Sequence, residues 1–279
     1  MSVGRRLESV RRILFTNKMT KPCKLGSKIL FLATAPCVQD YFDYPSVREQ
    51  FKDYDLACIN YMIEHSQKEI FEWKPKYFML FDPIFYSGSR DCESVDYNPE
   101  KDKVSNILDR IDWECYVVTS VLADFELINP KVKFIYISCL EKSYKPYLFS
   151  LYKRNLINMG IYNVVQGALY FAITFGYEDI SILGCTYRNL PAEMTEQGLR
   201  VLDHTHYYNL NREENIIDFS QIAKYKNGFM VDLYERAVRS HTCFWNLRRY
   251  AEKFGAKITN YSEGSMIDAF CVGILDKEV

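Results

Sequence analysis

The sequence predicts an α/β protein: a Rossmann-like, doubly wound, mostly parallel sheet flanked by helices, with an inserted lid segment. Three observations predict it. From Lys28 onward, short apolar runs of strand length alternate with segments of helical period, the order expected of a parallel sheet built from crossover units. The stretches Leu30–Cys37 and Asn163–Leu183 each join an apolar run to a polar turn, the kind of junction where open α/β sheets present backbone N–H groups to a ligand. A chain of 279 residues, 48% hydrophobic and 25% charged, has the composition of a soluble globular protein and the length to bury a large core.

Residues 1–27 form a basic amino-terminal tail, in which Arg5, Arg6, Arg11, Arg12, Lys18, Lys21 and Lys24 face Glu8. Leu7, Val10, Ile13, Leu14 and Phe15 can form a short amphipathic helix that rests on an anionic membrane leaflet. A solvated, partly disordered tail is the equal alternative, because so short a helix is marginal by itself. Residues 28–279 are read as a single domain. Its predicted strands are Ile29–Ala33, Asp55–Ile59, Tyr77–Phe81, Tyr116–Thr119, Phe134–Ile137, Ile180–Leu183 and Lys257–Asn260. Helical period marks Ser46–Phe51, Val104–Arg110, Val164–Phe175 and Leu233–Phe254. The helix from Val164 has Asn163 as its N-cap and Gly176 as its stop. Ile180–Leu183 is bounded by Gly184 and reads as a buried parallel strand, which puts Cys185, Thr186, Tyr187, Arg188 and Asn189 at its carboxyl end. An ordinary helix–strand unit without a ligand fits the same periodicity. The polar stretches Tyr86–Asp112 and Tyr187–Phe229 are long enough to be lids or inserted elements. Asn260–Ser265 follows the last strand and precedes a helix expected from Met266 to Phe270, so that Ser262, Gly264 and Ser265 either hold a phosphate or base or cap that helix.

Charge and cysteine usage exclude several classes. A net charge of -1 removes the general electrostatic case for nucleic acid. Nine cysteines without a CxxC pair give neither a zinc pattern nor an even disulfide framework, and Cys58, Cys115 and Cys139, in apolar surroundings, read as reduced thiols of a cytoplasmic protein. No secretory signal is visible, and Gly176, Glu178 and Asp179 interrupt the apolar stretch Val164–Leu183, so it is not a membrane span. With 22 Tyr and 18 Phe the chain can line a cleft for sugars or bases, although most such rings pack in cores.

The segments Lys28–Cys37, Asp55–Asn60 and Tyr77–Pro83 together resemble the amino-terminal half of bacterial sialyltransferases of glycosyltransferase family 42 and their DUF115 relatives. That superfamily includes the flagellin-modifying Maf proteins and archaeal MptE-type 6-hydroxymethylpterin pyrophosphokinases. Val164–Gly184 is similar to the DUF115 helix followed by a GF/GY-x-E/D-I-x-L-x-G signature, and Arg248–Asn260 to its closing helix and strand. The resemblance covers most of Lys28–Phe270 through short motifs in a shared order. It implies a Rossmann-like domain that binds a CMP-sugar, typically a sialic acid or related nonulosonate, and transfers it with inversion and no essential metal or other cofactor. By position, it implies that Thr34, Ala35, Pro36 and Cys37 border the nucleotide phosphate, that Asn60 contacts the donor, that Asp82 stands where the sialyltransferases have an asparagine, and that Tyr187 hydrogen-bonds the leaving phosphate; Asn163 and the Ser262–Ser265 turn join the donor side. The sequence departs from the family at its GNGPS loop, which reads Ala33-Thr34-Ala35-Pro36-Cys37, and at Thr186, where an aspartate is usual.

Transfer from a nucleotide sugar needs a base for the acceptor proton and donors that stabilise the departing phosphate. Of the four histidines, His204 and His206 lie in the polar segment after the Tyr187 strand end, and His206, which precedes Tyr207, is the preferred base. Loop histidines bonded to backbone, or a metal pair with Asp203, are the alternatives. Asp53-Tyr54-Asp55 has the form of a DxD metal motif but precedes its strand, so it reads as strand-entry polarity; His65 and His241 read as structural. The expected function is a glycosyltransferase of bacterial surface-glycan or lipopolysaccharide assembly, with a glycan or glycolipid acceptor, no nucleic-acid partner, and a tail that contacts the anionic inner membrane. A pterin-type pyrophosphokinase, which needs a magnesium-binding acidic cluster, and a nucleotide-binding domain without catalysis are the alternative functions.

Overall fold

A computed structural model describes residues 19–82, 85, 99–187, 193–195, 198–200, 206–209, 216–217 and 229–278. The chain begins with β1 (Lys28–Leu32), a 3₁₀ turn at Pro36–Val38, α1 (Gln39–Asp43), α2 (Pro45–Gln50), β2 (Asp55–Ile59), α3 (Met62–His65), α4 (Gln67–Trp73), β3 (Tyr77–Leu80) and α5 (Pro99–Asp109). There follow β4 (Cys115–Ser120), β5 (Val132–Ile137), α6 (Phe149–Lys153), α7 (Val164–Thr174) and β6 (Asp179–Leu183). The short strands β7 (Glu193–Thr195), β8 (Gly198–Arg200) and β9 (Ile216–Ile217) precede the long α8 (Phe229–Lys253), β10 (Lys257–Asn260) and β11 (Cys271–Val272).

The main sheet has eight strands in the order β11-β10-β6-β1-β2-β3-β4-β5, and every pairing in it is parallel. The protein is therefore an α/β doubly wound fold. The chain builds outward from β1 to β5, returns to the other side of β1 with β6, and continues outward through β10 and β11, which makes the β1/β6 boundary a topological switch point. The period of two along the strands divides the core. Ile29 and Phe31 of β1 face the layer made by α6, α7 and α8, where Leu169, Phe171, Phe244 and Tyr250 are buried. Leu30 and Leu32 face the other layer, with Tyr41, Val47, Ile70 and Leu108 from α1, α2, α4 and α5. Both faces are covered, which is why the strands read as unbroken apolar runs.

The predicted strands all form, Asp55–Ile59 and Lys257–Asn260 as expected and the others with ends displaced by at most two residues. α7 ends as expected: Asn163 accepts from the Gln166 N–H at 2.9 Å, and Gly176, at φ +87°, lets Tyr177 N–H reach the Ala172 carbonyl at 3.0 Å in a Schellman closure. Several expectations change. The polar stretch after Tyr187, read as a lid or inserted element, does hold one, the three-stranded antiparallel sheet β7-β8-β9, whereas helices α1, α3, α4 and α6 come from segments too short to show a helical period. The helix expected from Met266 to Phe270 does not form: Ile267, Ala269 and Phe270 are buried in a turn that leads to β11. The tail boundary also moves. The Thr20 hydroxyl accepts from Tyr136 N–H at 3.1 Å, and Leu25 N–H donates to the Phe175 carbonyl at 3.1 Å, so Met19–Ser27 is docked on the domain. Residues 1–18, with the expected amphipathic segment, lie outside the described residues. Among the described residues no helix is long and apolar enough to cross a membrane.

At the amino ends of the strands, Asp55 accepts from Lys76 at 2.7 Å and from the Tyr177 hydroxyl at 2.6 Å, and Tyr177 lies 2.7 Å from the Tyr77 hydroxyl. The DxD-like motif is thus strand-entry polarity, as expected. Tyr177→Phe removes one hydroxyl from a satisfied buried network and is expected to lower the unfolding free energy by about 1–2 kcal/mol, measured by denaturant titration. Ligand binding at the opposite end of the sheet should be unchanged.

Candidate functional site

The carboxyl ends of the strands from β6 to β5 open into a cleft of about 1120 Å³. The turn after β1 and the turn after β6 form the wall at its β6 end. They remain bonded beyond the strand ends, with Ala33 N–H to the Leu183 carbonyl and Ala35 N–H to the Gly184 carbonyl, both at 2.8 Å. Gly184 has φ +83°, and a Cβ there would lie 2.5 Å from the Ala33 carbonyl oxygen, so only glycine allows the two turns to approach this closely. Thr34, Ala35, Pro36 and Cys37 all line the cleft, as do Cys185, Thr186 and Tyr187. Burial pushes the Cys37 thiol up, so it is a poor nucleophile at neutral pH.

Asn60 follows β2 on the cleft wall, at φ 45° in the left-handed region. Its N–H donates to the Met79 carbonyl at 2.9 Å, while its buried Oδ1 has no hydrogen-bond partner. A strained backbone and an unsatisfied buried acceptor on a cleft wall are features of binding sites, since a ligand N–H or O–H recovers the lost hydrogen bond. Asp82 lies on the same wall beyond β3.

Tyr187 also has a positive φ, 48°. Its ring meets His241 and Phe244 edge-on, at 5.1 and 5.5 Å between centroids, and its hydroxyl faces Ser240 and Asn163. Burial raises its pKa, which keeps the phenol a hydrogen-bond donor at neutral pH. Asn163 lines the cleft, but its side chain is engaged, accepting from Gln166 and donating to the Ser240 hydroxyl at 3.2 Å.

His206–Asn209 folds over the cleft. Tyr207 N–H donates to the Thr34 carbonyl at 2.9 Å, the Tyr207 hydroxyl bonds that of Ser66, and the Tyr207 ring stands edge-on to Phe42 at 5.3 Å. His206 lines the cleft and stacks on Tyr208 at 5.0 Å, and Tyr208 stacks on His65 at 3.7 Å. His65, read from sequence as structural, is thus the anchor of this strap. His204, Asp203, Arg188 and Asn189 lie outside the described residues.

The turn after β10 corrects an expectation. Ser262, Gly264 and Ser265 do not line the cleft; Glu263 does. The Ser262 hydroxyl accepts from Cys185 N–H at 2.8 Å, the Ser265 hydroxyl donates to the Cys185 carbonyl at 2.9 Å and accepts from Asn260 at 2.8 Å, and Gly264 turns the chain at φ 66°. These hydroxyls brace the backbone at the end of β6 and cap no helix, because none follows.

Sequence reasoning missed Glu141 and Tyr162, which line the cleft beyond β5. Glu141 could have been found by applying the carboxyl-end rule to β5 as it was applied to β1 and β6. Burial raises its carboxyl pKa. Among the described residues, the cleft lining carries Asp82, Glu141 and Glu263 and no lysine or arginine. No group of three His, Cys, Asp or Glu among them could hold a metal ion.

No protein-family model matches the chain, and no curated protein matches it. Among solved structures it is similar to a proposed sugar phosphate isomerase/epimerase from Anabaena variabilis ATCC 29413, at 10% identity and a TM-score of 0.17, over 84% of this chain and 54% of the other. The chain thus spans about half of that protein's length, and so slight a likeness carries no argument about fold or activity.

Proposed function

We propose that the protein is a glycosyltransferase that takes a CMP-sugar, a sialic acid or related nonulosonate, and transfers the sugar with inversion to a glycan or glycolipid acceptor. The observation that supports this reading is the convergence of Thr34–Cys37, Asn60, Tyr187 and His206 on one cleft at a topological switch point. In the reaction the acceptor oxygen attacks the anomeric carbon, its proton passes to His206, and the bond to the phosphate breaks with its electron pair leaving on CMP. In this reading the Tyr187 hydroxyl turns from Ser240 and Asn163 to the departing phosphate, and the N–H groups of the β1 turn that are not bonded across to β6 share the charge that develops there. A donor joined through a single phosphodiester suits a lining without lysine or arginine among the described residues better than a di- or triphosphate does. No metal is required in this scheme. The protein acts in the cytoplasm, in surface-glycan or lipopolysaccharide assembly, with its basic tail against the anionic inner membrane.

A thermal-shift series with CMP, CDP, UDP, GDP and ATP tests the donor class. A ligand that binds only the folded state stabilises it by mass action, about 2.7 kcal/mol at a hundredfold excess over Kd. CMP should give the largest rise in Tm. A rise with ATP and magnesium but none with CMP would replace this reading with the pyrophosphokinase one.

A further inference from the structure

The cleft extends well beyond what a nucleotide needs. From β6 to β5 it crosses five inter-strand steps, roughly 24 Å at a strand spacing of ~4.8 Å. Thr34–Cys37, Asn60 and Tyr187 lie toward β6, β1 and β2, and the loops after β5 form a second wall. There the backbone runs Leu140–Lys142 beside Asn158, held by Asn158 N–H to the Leu140 carbonyl at 2.8 Å and Lys142 N–H to the Asn158 carbonyl at 2.9 Å. The polar side chains of this wall are largely satisfied: Asn158 accepts from Gly160 N–H at 2.9 Å and donates to the Ser138 carbonyl at 2.7 Å, and the Ser138 hydroxyl donates to Leu156 at 2.9 Å.

Two side chains stand apart from that network. Glu141 makes no side-chain hydrogen bond or ion pair with any described residue, although it lines the cleft. Tyr162 is 51% exposed. Its N–H donates to the Gln166 side chain at 2.8 Å, and its ring lies over Gly160, where an added Cβ would meet its hydroxyl and ring edge at 3.5–3.7 Å. An exposed aromatic face stacks on the C–H face of a pyranose, and with only two side-chain torsions to fix the entropic cost is small. An unpaired carboxyl lining the same cleft accepts hydrogen bonds from sugar hydroxyls.

We propose that Glu141 and Tyr162 form a pyranose subsite that receives a ring of the acceptor glycan, with Tyr162 stacking on the ring and Glu141 bonding its hydroxyls. The assignment rests on the transferase reading for the role of the ring, and on the geometry of the second wall for its chemistry.

Saturation-transfer NMR with methyl β-glucopyranoside and methyl β-galactopyranoside tests it on the full-length protein. At least one glycoside should show ring-proton saturation that Tyr162→Ala weakens by roughly fivefold and Tyr162→Phe retains. Glu141→Gln, which keeps the shape, should weaken glycoside binding by about tenfold through loss of a charge-assisted bond. Each variant is accepted only if its Tm and CMP response match the wild type. Absence of saturation from both glycosides, or signals undiminished in both Tyr162→Ala and Glu141→Gln, would overturn the subsite. The CMP response of the same samples separates the claims: CMP binding without glycoside binding removes the subsite alone, and the reverse removes the donor reading alone.

Discussion

His206→Ala should lower transfer by roughly a hundredfold or more while leaving the affinity for CMP at its wild-type value. The expected size is that of a general base removed from a reaction whose acceptor is a neutral hydroxyl. The imidazole is held over the cleft by its stack on Tyr208, which itself rests on His65. Tyr208→Ala is therefore expected to reduce turnover by about tenfold through misorientation, with CMP binding again preserved. Steady-state kinetics with a labelled donor, paired with CMP titration, check both. Loss of activity on chelation, restored by a divalent ion, would instead make the strap a metal site. Wild-type kinetics for His206→Ala would remove it as the base.

Gly184→Ala is expected to destabilise the fold by about 3 kcal/mol or more, a large effect for one methyl group. The residue sits at φ +83°, and the new Cβ would lie 2.5 Å from the Ala33 carbonyl oxygen, 2.9 Å from the Ala33 carbonyl carbon and 2.8 Å from Val38 Cβ. Backbone cannot yield as a flexible side chain would, so the strain of the left-handed conformation and the overlap act together. Relief requires the turns after β1 and β6 to separate, which would break the 2.8 Å bonds across the switch point and displace Thr34–Cys37. Denaturant unfolding should show the loss of stability, and CMP should shift the Tm of the variant less than that of the wild type. A variant with unchanged midpoint and CMP response would show that the turns do not need this closeness.

The architecture was legible because its signals are local. An apolar run of strand length, such as Ile180–Leu183, is buried on both faces whatever its partners, and Asn163 and Gly176 bound α7 through bonds within a few residues of themselves. The carboxyl-end rule then led to the Thr34–Cys37 turn and to Tyr187, the family resemblance added Asn60 and Asp82, and all of them line the cleft. The same rule applied to Ser262 and Ser265 went astray. Whether a hydroxyl at such a turn faces a ligand or its own backbone depends on what lies alongside, and here it is the Cys185 peptide, far away in sequence.

By itself, then, the sequence determined the doubly wound class, the order of its strands along the chain and the turns at the β1/β6 boundary, since these follow from period and from capping chemistry within a few residues. The tertiary structure alone decided the rest of the cleft. Glu141 and Tyr162 share a wall because β5 closes one side of the sheet, and His206 covers the site because Tyr208 finds His65 across a separation that no local pattern encodes. Contacts of that kind arise from packing between crossovers, and side-chain type records them only as a polar or aromatic residue in a loop.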